Sequence, residues 1–270
     1  MYKAIVNISN GFQGIYKNRD LNLVHKYQLT IDLIRCLGIT LLSKFITINS
    51  FYIRTFEYKV SFPNTITFLY LFNEIFCKNQ YPPSSKYLKI IDAGANIGLA
   101  TLWFKIYSPD SKIILFEPDV ENLSYLKKNI KENNLTNIQI IPKAISNNNG
   151  STYFYKIKDN IQNLDSGIKL NQSLPNVRYQ VKTTKLSQYI NSNIDLLKID
   201  IEGSEYSLFD DLIQNRVLKF CKNIYFEAHF FNKKEIANYT NLVSKLKKIG
   251  HLTATENSKF TCMNYFTKSK

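Results

Sequence analysis

The 270-residue chain has little of what marks the special architectures. With 9 Gly and 7 Pro it is neither collagen-like nor low in complexity. Its 4 cysteines, Cys36, Cys77, Cys221 and Cys262, stand far apart with no CxxC pair. That spacing excludes a zinc-finger pattern and a disulfide scaffold, and it predicts buried thiols in a reducing compartment. Long hydrophobic runs are missing too: the strongest, residues 65–72, falls far short of the ~20 residues that a membrane-spanning helix needs. The opening residues 1–7 are broken by polar side chains and lack a secretory apolar core. These absences predict a soluble, cytoplasmic protein. What is present, 44% hydrophobic and 14% aromatic residues, suffices for a sizeable core and excludes global disorder.

Acidic residues are the other deficit: 21 against 35 basic ones, a net charge of +14. The excess is spread, since residues 1–80 carry 9 basic and 4 acidic side chains and the remainder 26 and 17. A dispersed excess argues against a dedicated nucleic-acid surface.

Two regions read differently. In the first, residues 29–42 have apolar residues at helical spacing, residues 51–62 alternate as a hairpin does, and residues 66–76 suit an apolar helix. Pro82-Pro83-Ser84-Ser85 is the clearest break, so residues 1–83 are assigned as an N-terminal helical/β cap or oligomerisation region and 84–270 as the catalytic domain. Beyond it, apolar runs at 87–93, 112–116, 138–142, 194–199 and 223–228 alternate with helical stretches at 99–107, 120–132 and 204–214. Such alternation predicts an α/β fold with a parallel sheet, whose ligands bind outside the carboxyl ends of the strands.

The residues following each strand carry the chemistry. After the first come Asp92, Gly94, Ala95, Asn96 and Gly98, a tight turn that lets backbone N–H groups approach a ligand. Asn96 stands where a dinucleotide fingerprint has its second glycine, which disfavours a pyrophosphate ligand. After the second comes Glu117, placed to accept both hydroxyls of a ribose, while Asp119 suits a helix start. The fourth strand ends in Asp200, Glu202 and Glu205, and the fifth in Glu227 and His229. Alternation puts Glu227 beside His229, and Asp200 beside Glu202 if the strand runs on through them. A histidine next to two acids is a candidate base or metal ligand.

Together the strings Ile91–Gly98, Phe116-Glu117-Pro118, Ala144-Ile145-Ser146, Leu197–Glu205 and Phe226–His229 resemble the FkbM family of S-adenosylmethionine-dependent methyltransferases, over about residues 66–265. The resemblance implies the seven-stranded, Rossmann-like class I methyltransferase sheet and O-methylation of sugar or natural-product hydroxyls. It also implies that Asp92, Gly94, Ala95, Asn96 and Gly98 bind the methionine end of the cofactor and Glu117 its ribose. Pro118, Ala144 and Ile145 would flank the adenine, and Glu74 and Tyr81 would close over it. Thr184-Lys185-Leu186-Ser187 departs from a common Thr-Leu-Asp string, so the role of that aspartate is left unfilled.

An alcohol needs help to attack a sulfonium methyl group, so Asp200, Glu227 and His229 are assigned either to accept its proton or to hold Mg2+ or another divalent ion that acidifies it. The motif leaves both open. The expected partner is a small-molecule or glycan acceptor. Nucleic-acid methylation is the rival activity, opposed by the acidic strand ends, and a non-catalytic module of the same fold is the rival class. Residues 1–65 match no motif; a cap or homo-oligomer surface that helps define the acceptor pocket is the role expected of them, with peripheral membrane contact around residues 37–53 as the alternative.

Overall fold

Two asparagines start the helices of the N-terminal region. In the computed structural model, Asn22 Oδ1 accepts the His25 N–H at 2.8 Å and Asn64 Oδ1 the Thr67 N–H at 2.8 Å, each satisfying a donor that the first helical turn leaves unpaired. The structure describes residues 2–81, 84, 86–157, 166–167, 176–229, 233–257 and 261–268; of the four residues at the break placed after residue 83, three lie outside the described residues.

In chain order the elements are α1 (Tyr2–Lys17), α2 (Leu23–Leu42), β1 (Ser50–Ile53), β2 (Tyr58–Ser61), α3 (Thr65–Phe72) and a π-helical turn (Asn73–Cys77). There follow β3 (Lys89–Ala93), α4 (Leu99–Tyr107), β4 (Lys112–Phe116), α5 (Val120–Glu132), β5 (Ile138–Ile141), β6 (Ala144–Ile145), β7 (Gly150–Ile157) and β8 (Ser166–Gly167). The chain continues through β9 (Asn176–Thr184), a 3-10 turn (Leu186–Tyr189), β10 (Ile194–Ile199), α6 (Glu205–Gln214), a second 3-10 turn (Leu218–Phe220), β11 (Cys221–His229), α7 (Lys233–Lys247), β12 (Gly250–Asn257) and β13 (Thr261–Lys268).

These elements fall into two compact units. The first takes residues 1–85, 96–110 and 121–136, and so includes α4 and most of α5. Its core is aromatic: Phe62 stacks on Phe68 at 4.5 Å and Phe76 meets Trp103 edge-on at 5.3 Å. The Trp103 indole N–H donates to the Tyr81 carbonyl at 2.7 Å. Buried Asn129 bridges Ser61 and Ile97, accepting from the Ser61 N–H at 2.7 Å and donating to the Ile97 carbonyl at 2.8 Å. On α5 the buried side chains are Asn122, Leu126 and Asn129.

The second unit holds residues 86–95, 111–120 and 137–270. Its seven-stranded sheet has the order β12-β13-β11-β10-β3-β4-β5, with β3, β4, β5, β10 and β11 parallel and β13 antiparallel to β11. This is the sheet that the resemblance implied. Every residue of β10 is buried, as a central parallel strand requires. Leu208, Phe209 and Leu212 of α6 and Leu242 and Leu246 of α7 pack in one core with Ile91, Phe116, Leu197 and Phe226. A second sheet, β6-β9-β7-β8, built from residues 144–145, 150–157, 166–167 and 176–184, is not foreshadowed by the alternation. All four cysteines are free and buried, as expected. Among the described residues no helix is long and apolar enough to cross a membrane.

Candidate active site

Strand order places the reversal of chain direction between β3 and β10, because β4 and β5 follow β3 to one side and β11 follows β10 to the other. Such a switch point is where parallel sheets open a crevice at their carboxyl ends. The register makes Lys198 the neighbour of Asp92 and Ile199 that of Ala93. It also pairs Ile199 with Phe226, so Asp200, one residue on, comes level with Glu227.

Gly94 occupies the tightest point. Its φ is +88°, and a Cβ there would lie 1.7 Å from the Asp200 carbonyl oxygen. The same two segments are joined by the Asp200 N–H, which donates to the Ala93 carbonyl at 2.9 Å. The Gly94 and Ala95 N–H groups both donate to the Phe116 carbonyl at 3.0 Å, tying the turn to the end of β4. Further along the turn, Asn96 and Gly98 belong to the first unit, with φ of +51° and +93°. Asparagine tolerates this left-handed backbone, and Asn96 Oδ1 accepts the Ile97 N–H at 2.8 Å. A side chain thus stands where a fingerprint glycine would.

Lys198 is the residue that sequence reasoning passed over. Its ammonium is 3% exposed as a residue and donates to Asp92 Oδ1 at 2.9 Å and to the Gly94 carbonyl at 2.6 Å. Burial opposes the charge, yet Asp92, Asp200 and Glu117 outweigh it and hold the lysine pKa above its ordinary value. Burial pushes the Asp92 carboxyl up, against the pull of Lys198. Asp92 Oδ2 is buried and has no hydrogen-bond partner among the described residues, an acceptor that a ligand ammonium fits. A lysine between Leu197 and Ile199 near the end of a buried strand was the available signal.

Glu117 is buried after β4, its Oε1 accepting the Asp119 N–H at 2.8 Å. Asp119 stands at a helix start as expected, directly before α5, and also accepts the Tyr179 hydroxyl at 2.6 Å and faces Lys156 Nζ at 3.4 Å, both from the second sheet. Ala144 and Ile145 are buried in β6, paired with Thr183 and Thr184 of β9, and Pro118 is half-buried. At the departure from the common Thr-Leu-Asp string, the Ser187 N–H and hydroxyl donate to Asp211 of α6 at 2.9 and 2.8 Å, so the carboxylate comes from another element. In the first unit, buried Glu74 pairs with Lys78 Nζ at 2.8 Å, and buried Tyr81 packs its ring 5.7 Å from Phe104.

The acidic strand ends converge. β10 stops at Ile199, and Glu202 and Gly203 take left-handed φ of +51° and +96°, so Glu202 is not placed by strand alternation. The turn brings Glu202 Oε2 to 3.1 Å from His229 Nε2. Glu205, the first residue of α6 and fully buried, lies 2.8 Å from His229 Nδ1 and accepts the Gly203 N–H at 3.0 Å. Glu227 Oε1 is 3.9 Å from Nε2, and the Tyr206 hydroxyl donates to the His229 carbonyl at 3.1 Å. A carboxylate faces each ring nitrogen, an arrangement that favours the imidazolium over the neutral ring. Burial opposes that charge, but Glu202 and Glu205 lift the His229 pKa well above its ordinary value. Burial raises the Glu202 carboxyl, as do Asp200 and Glu227, against the pull of His229. Ligand atoms of Asp200, Glu227 and His229 all lie within 4.8 Å of one another, close enough to share a cation.

Residues 92–253 match the sequence profile of the family described as Methyltransferase FkbM domain. Methyltransferase 1 of Beauveria bassiana (strain ARSEF 2860) is 28% identical over 161 residues, which is 49% of this chain and 64% of that protein. Methyltransferase sdnD of Sordaria araneosa is 28% identical over 171 residues, or 50% and 65%. The chain therefore spans less than two-thirds of either relative. The crystal structure of methyltransferase FkbM from Methylobacillus flagellatus KT superposes with a TM-score of 0.50 at 14% identity, over 87% of this chain and 60% of that one.

Proposed function

The chain belongs to the FkbM methyltransferase family, and from that premise we propose that it is an S-adenosylmethionine-dependent O-methyltransferase whose acceptor is a hydroxyl of a sugar, glycan or related natural product. One observation supports the reading: Asp200 is tied by its own backbone to the Ala93-Gly94 turn, so a carboxylate and the glycine turn share one frame.

When bound, the cofactor supplies an activated methyl group on a sulfonium. The chain's own residues then have two tasks, orientation and removal of one proton. Asp92 would accept from the methionine ammonium through its orphan Oδ2, and Lys198 would fix the turn by gripping Asp92 and the Gly94 carbonyl. Glu117 would accept from the ribose. Asp200, with Glu227 beside it, would take the acceptor's proton. His229, with a carboxylate facing each ring nitrogen, would hold Glu202 and Glu205 in place rather than act as base.

A second reading has a divalent cation on Asp200, Glu227 and His229, favoured by the closeness of their ligand atoms. It requires His229 to give up the proton directed at Glu202.

The deciding experiment is transfer of a radiolabelled methyl group from S-adenosylmethionine to a panel of monosaccharides and polyhydroxylated natural products, alongside cofactor binding by calorimetry. Cofactor binding without transfer to any hydroxyl would refute the acceptor class; no binding at all would refute the enzyme reading.

A further inference from the structure

The helix α2 is apolar on two opposite sides, and only one of them is used by its own chain. Leu29, Leu33 and Cys36, together with Asp32, form the buried side. Asp32 accepts there from the Thr55 N–H and hydroxyl at 3.0 and 2.8 Å. Across the helix axis runs a second stripe, Val24, Tyr27, Ile31, Ile34, Gly38 and Leu41, spaced 3-4-3-4-3 along the sequence. That is the spacing of the a and d positions of a helix-pairing seam. Four of its side chains face water, Val24 being 62% exposed, Tyr27 68%, Ile34 54% and Leu41 58%, while Ile31 is half-buried. A helix that is apolar all round is normally buried all round.

Gly38 identifies what covers the stripe. Glycine in a helix interior costs about 1 kcal/mol relative to alanine, so it calls for a reason. A Cβ at Gly38 would meet no atom within 4 Å among the described residues, so none of them supplies a reason. A small residue at the middle of an apolar seam lets another helix backbone come close. A lipid surface, by contrast, would gain from any apolar side chain at this position.

The charges of α2 point the same way. Lys26 Nζ donates to the Tyr16 carbonyl at 3.0 Å, and Arg35 donates to Asp32 at 2.6 Å and to the Tyr52 carbonyl at 3.1 Å. The lysine and the arginine of the helix are thus turned onto their own chain, away from lipid phosphates. An identical stripe on a second molecule is self-complementary, as a two-fold interface requires. The exposed parts of Val24, Tyr27, Ile34 and Leu41 make up most of this surface, less than the roughly 800 Å² per partner of a standard interface, so the pairing expected is a weak one.

We propose that α2 pairs with α2 of a second copy of this chain across the stripe centred on Ile34 and Gly38. The surface lies within the first unit and does not depend on the acceptor assigned above.

The test is sedimentation velocity of the full chain across a hundredfold range of concentration, beside Ile34→Glu and Gly38→Leu. A dimer is expected, and each substitution weakens it roughly tenfold or more. Gly38→Leu leaves the melting temperature of the monomer unchanged or raised, because the site is open and leucine favours helix; that reading separates lost pairing from lost folding. A monomer at every concentration overturns the proposal, as does a dimer indifferent to both substitutions. Co-sedimentation with vesicles of phosphatidylcholine and phosphatidylserine in equal parts, strengthened by Gly38→Leu, overturns it in favour of a membrane surface.

Discussion

Lys198 and Asp92 are register partners on adjacent parallel strands, and their charged atoms meet at 2.9 Å inside the sheet. Removing one member of such a buried pair strands the other charge, whereas replacing both by apolar groups of similar volume can be neutral. Lys198→Met is therefore expected to lower the unfolding free energy by about 3–5 kcal/mol, and Lys198→Met with Asp92→Leu to recover most of that loss. Urea unfolding reads both. Neither form should bind S-adenosylmethionine, because the Gly94 carbonyl loses its anchor in each.

Gly94 and Gly98 share a left-handed backbone, at φ of +88° and +93°, but not a neighbourhood. An added Cβ at Gly94 meets the Asp200 backbone oxygen at 1.7 Å; at Gly98 it meets only the end of the Leu126 side chain at 2.7 Å. The shared backbone strain costs about 1–2 kcal/mol in either alanine variant. Gly94→Ala must in addition push β3 and β10 apart at the site, and a shift of that size costs roughly a hundredfold in a well-positioned reaction. Calorimetry should thus find cofactor affinity much reduced in Gly94→Ala and little changed in Gly98→Ala. Equal losses would place the importance of Gly94 in its backbone angle alone.

The two alanine variants also mark how far the sequence could be read. Helices α4 and α5 and strands β4 and β10 fall where apolar periodicity put them, because each is a regular run with punctuation at both ends. Strand β3 begins at Lys89 rather than residue 87, since Leu88 is turned out and mostly exposed. The helix read over 66–76 splits into α3 and a π-helical turn, a hydrogen-bond shift that leaves no mark in polarity. The second sheet escaped because β6 and β8 are only two residues long and β7 and β9, though long, are rich in polar residues and carry no aliphatic run. At the site, the glycines and the acid after β4 were legible from their places after strands. The His229 cluster was legible only in part. Glu227 and His229 follow from strand alternation, but the approach of Glu202 depends on two left-handed residues and that of Glu205 on the angle at which α6 leaves them. Lys198 was visible as a residue and silent as a role until its register with Asp92 was known.

Acid should weaken the fold through Asp195, at the start of β10. Its Oδ2 accepts the Leu88 and Lys89 N–H groups at 2.9 and 3.0 Å. Burial raises its pKa, but the Lys222 ammonium and those two N–H groups bring it below the ordinary 3.8. A native pKa below the unfolded one gives stability that is complete above 3.8 and lost as pH falls through the native value. Asp92 and Glu202 have raised native values and act in the opposite sense, so the informative quantity is a difference between two proteins. Asp195→Asn should cost about 1–2 kcal/mol at neutral pH. The gap to the wild type should close as pH drops below 3.8, read from thermal melts at a series of pH values. A gap constant down to strong acid would mean that the carboxylate charge contributes nothing.

The roles of Asp200 and His229 separate kinetically. If Asp200 takes the proton of the acceptor, Asp200→Asn keeps its backbone bond to Ala93 and its volume while losing the base, so kcat falls by about 10²–10⁴ and cofactor affinity stays within a factor of about two. His229→Gln removes the cation between Glu202 and Glu205 and leaves a buried carboxylate uncompensated, a loss of about 3–5 kcal/mol in stability. Adding Glu205→Gln to that variant takes away the stranded charge and should restore both stability and a substantial part of the activity, which a true general base could not regain. Exhaustive treatment with a chelator should leave the wild-type rate unchanged under this assignment. A rate abolished by the chelator and restored by Mg2+ would transfer Asp200, Glu227 and His229 from proton transfer to metal binding, and Asp200→Asn would then lose metal affinity before it lost turnover.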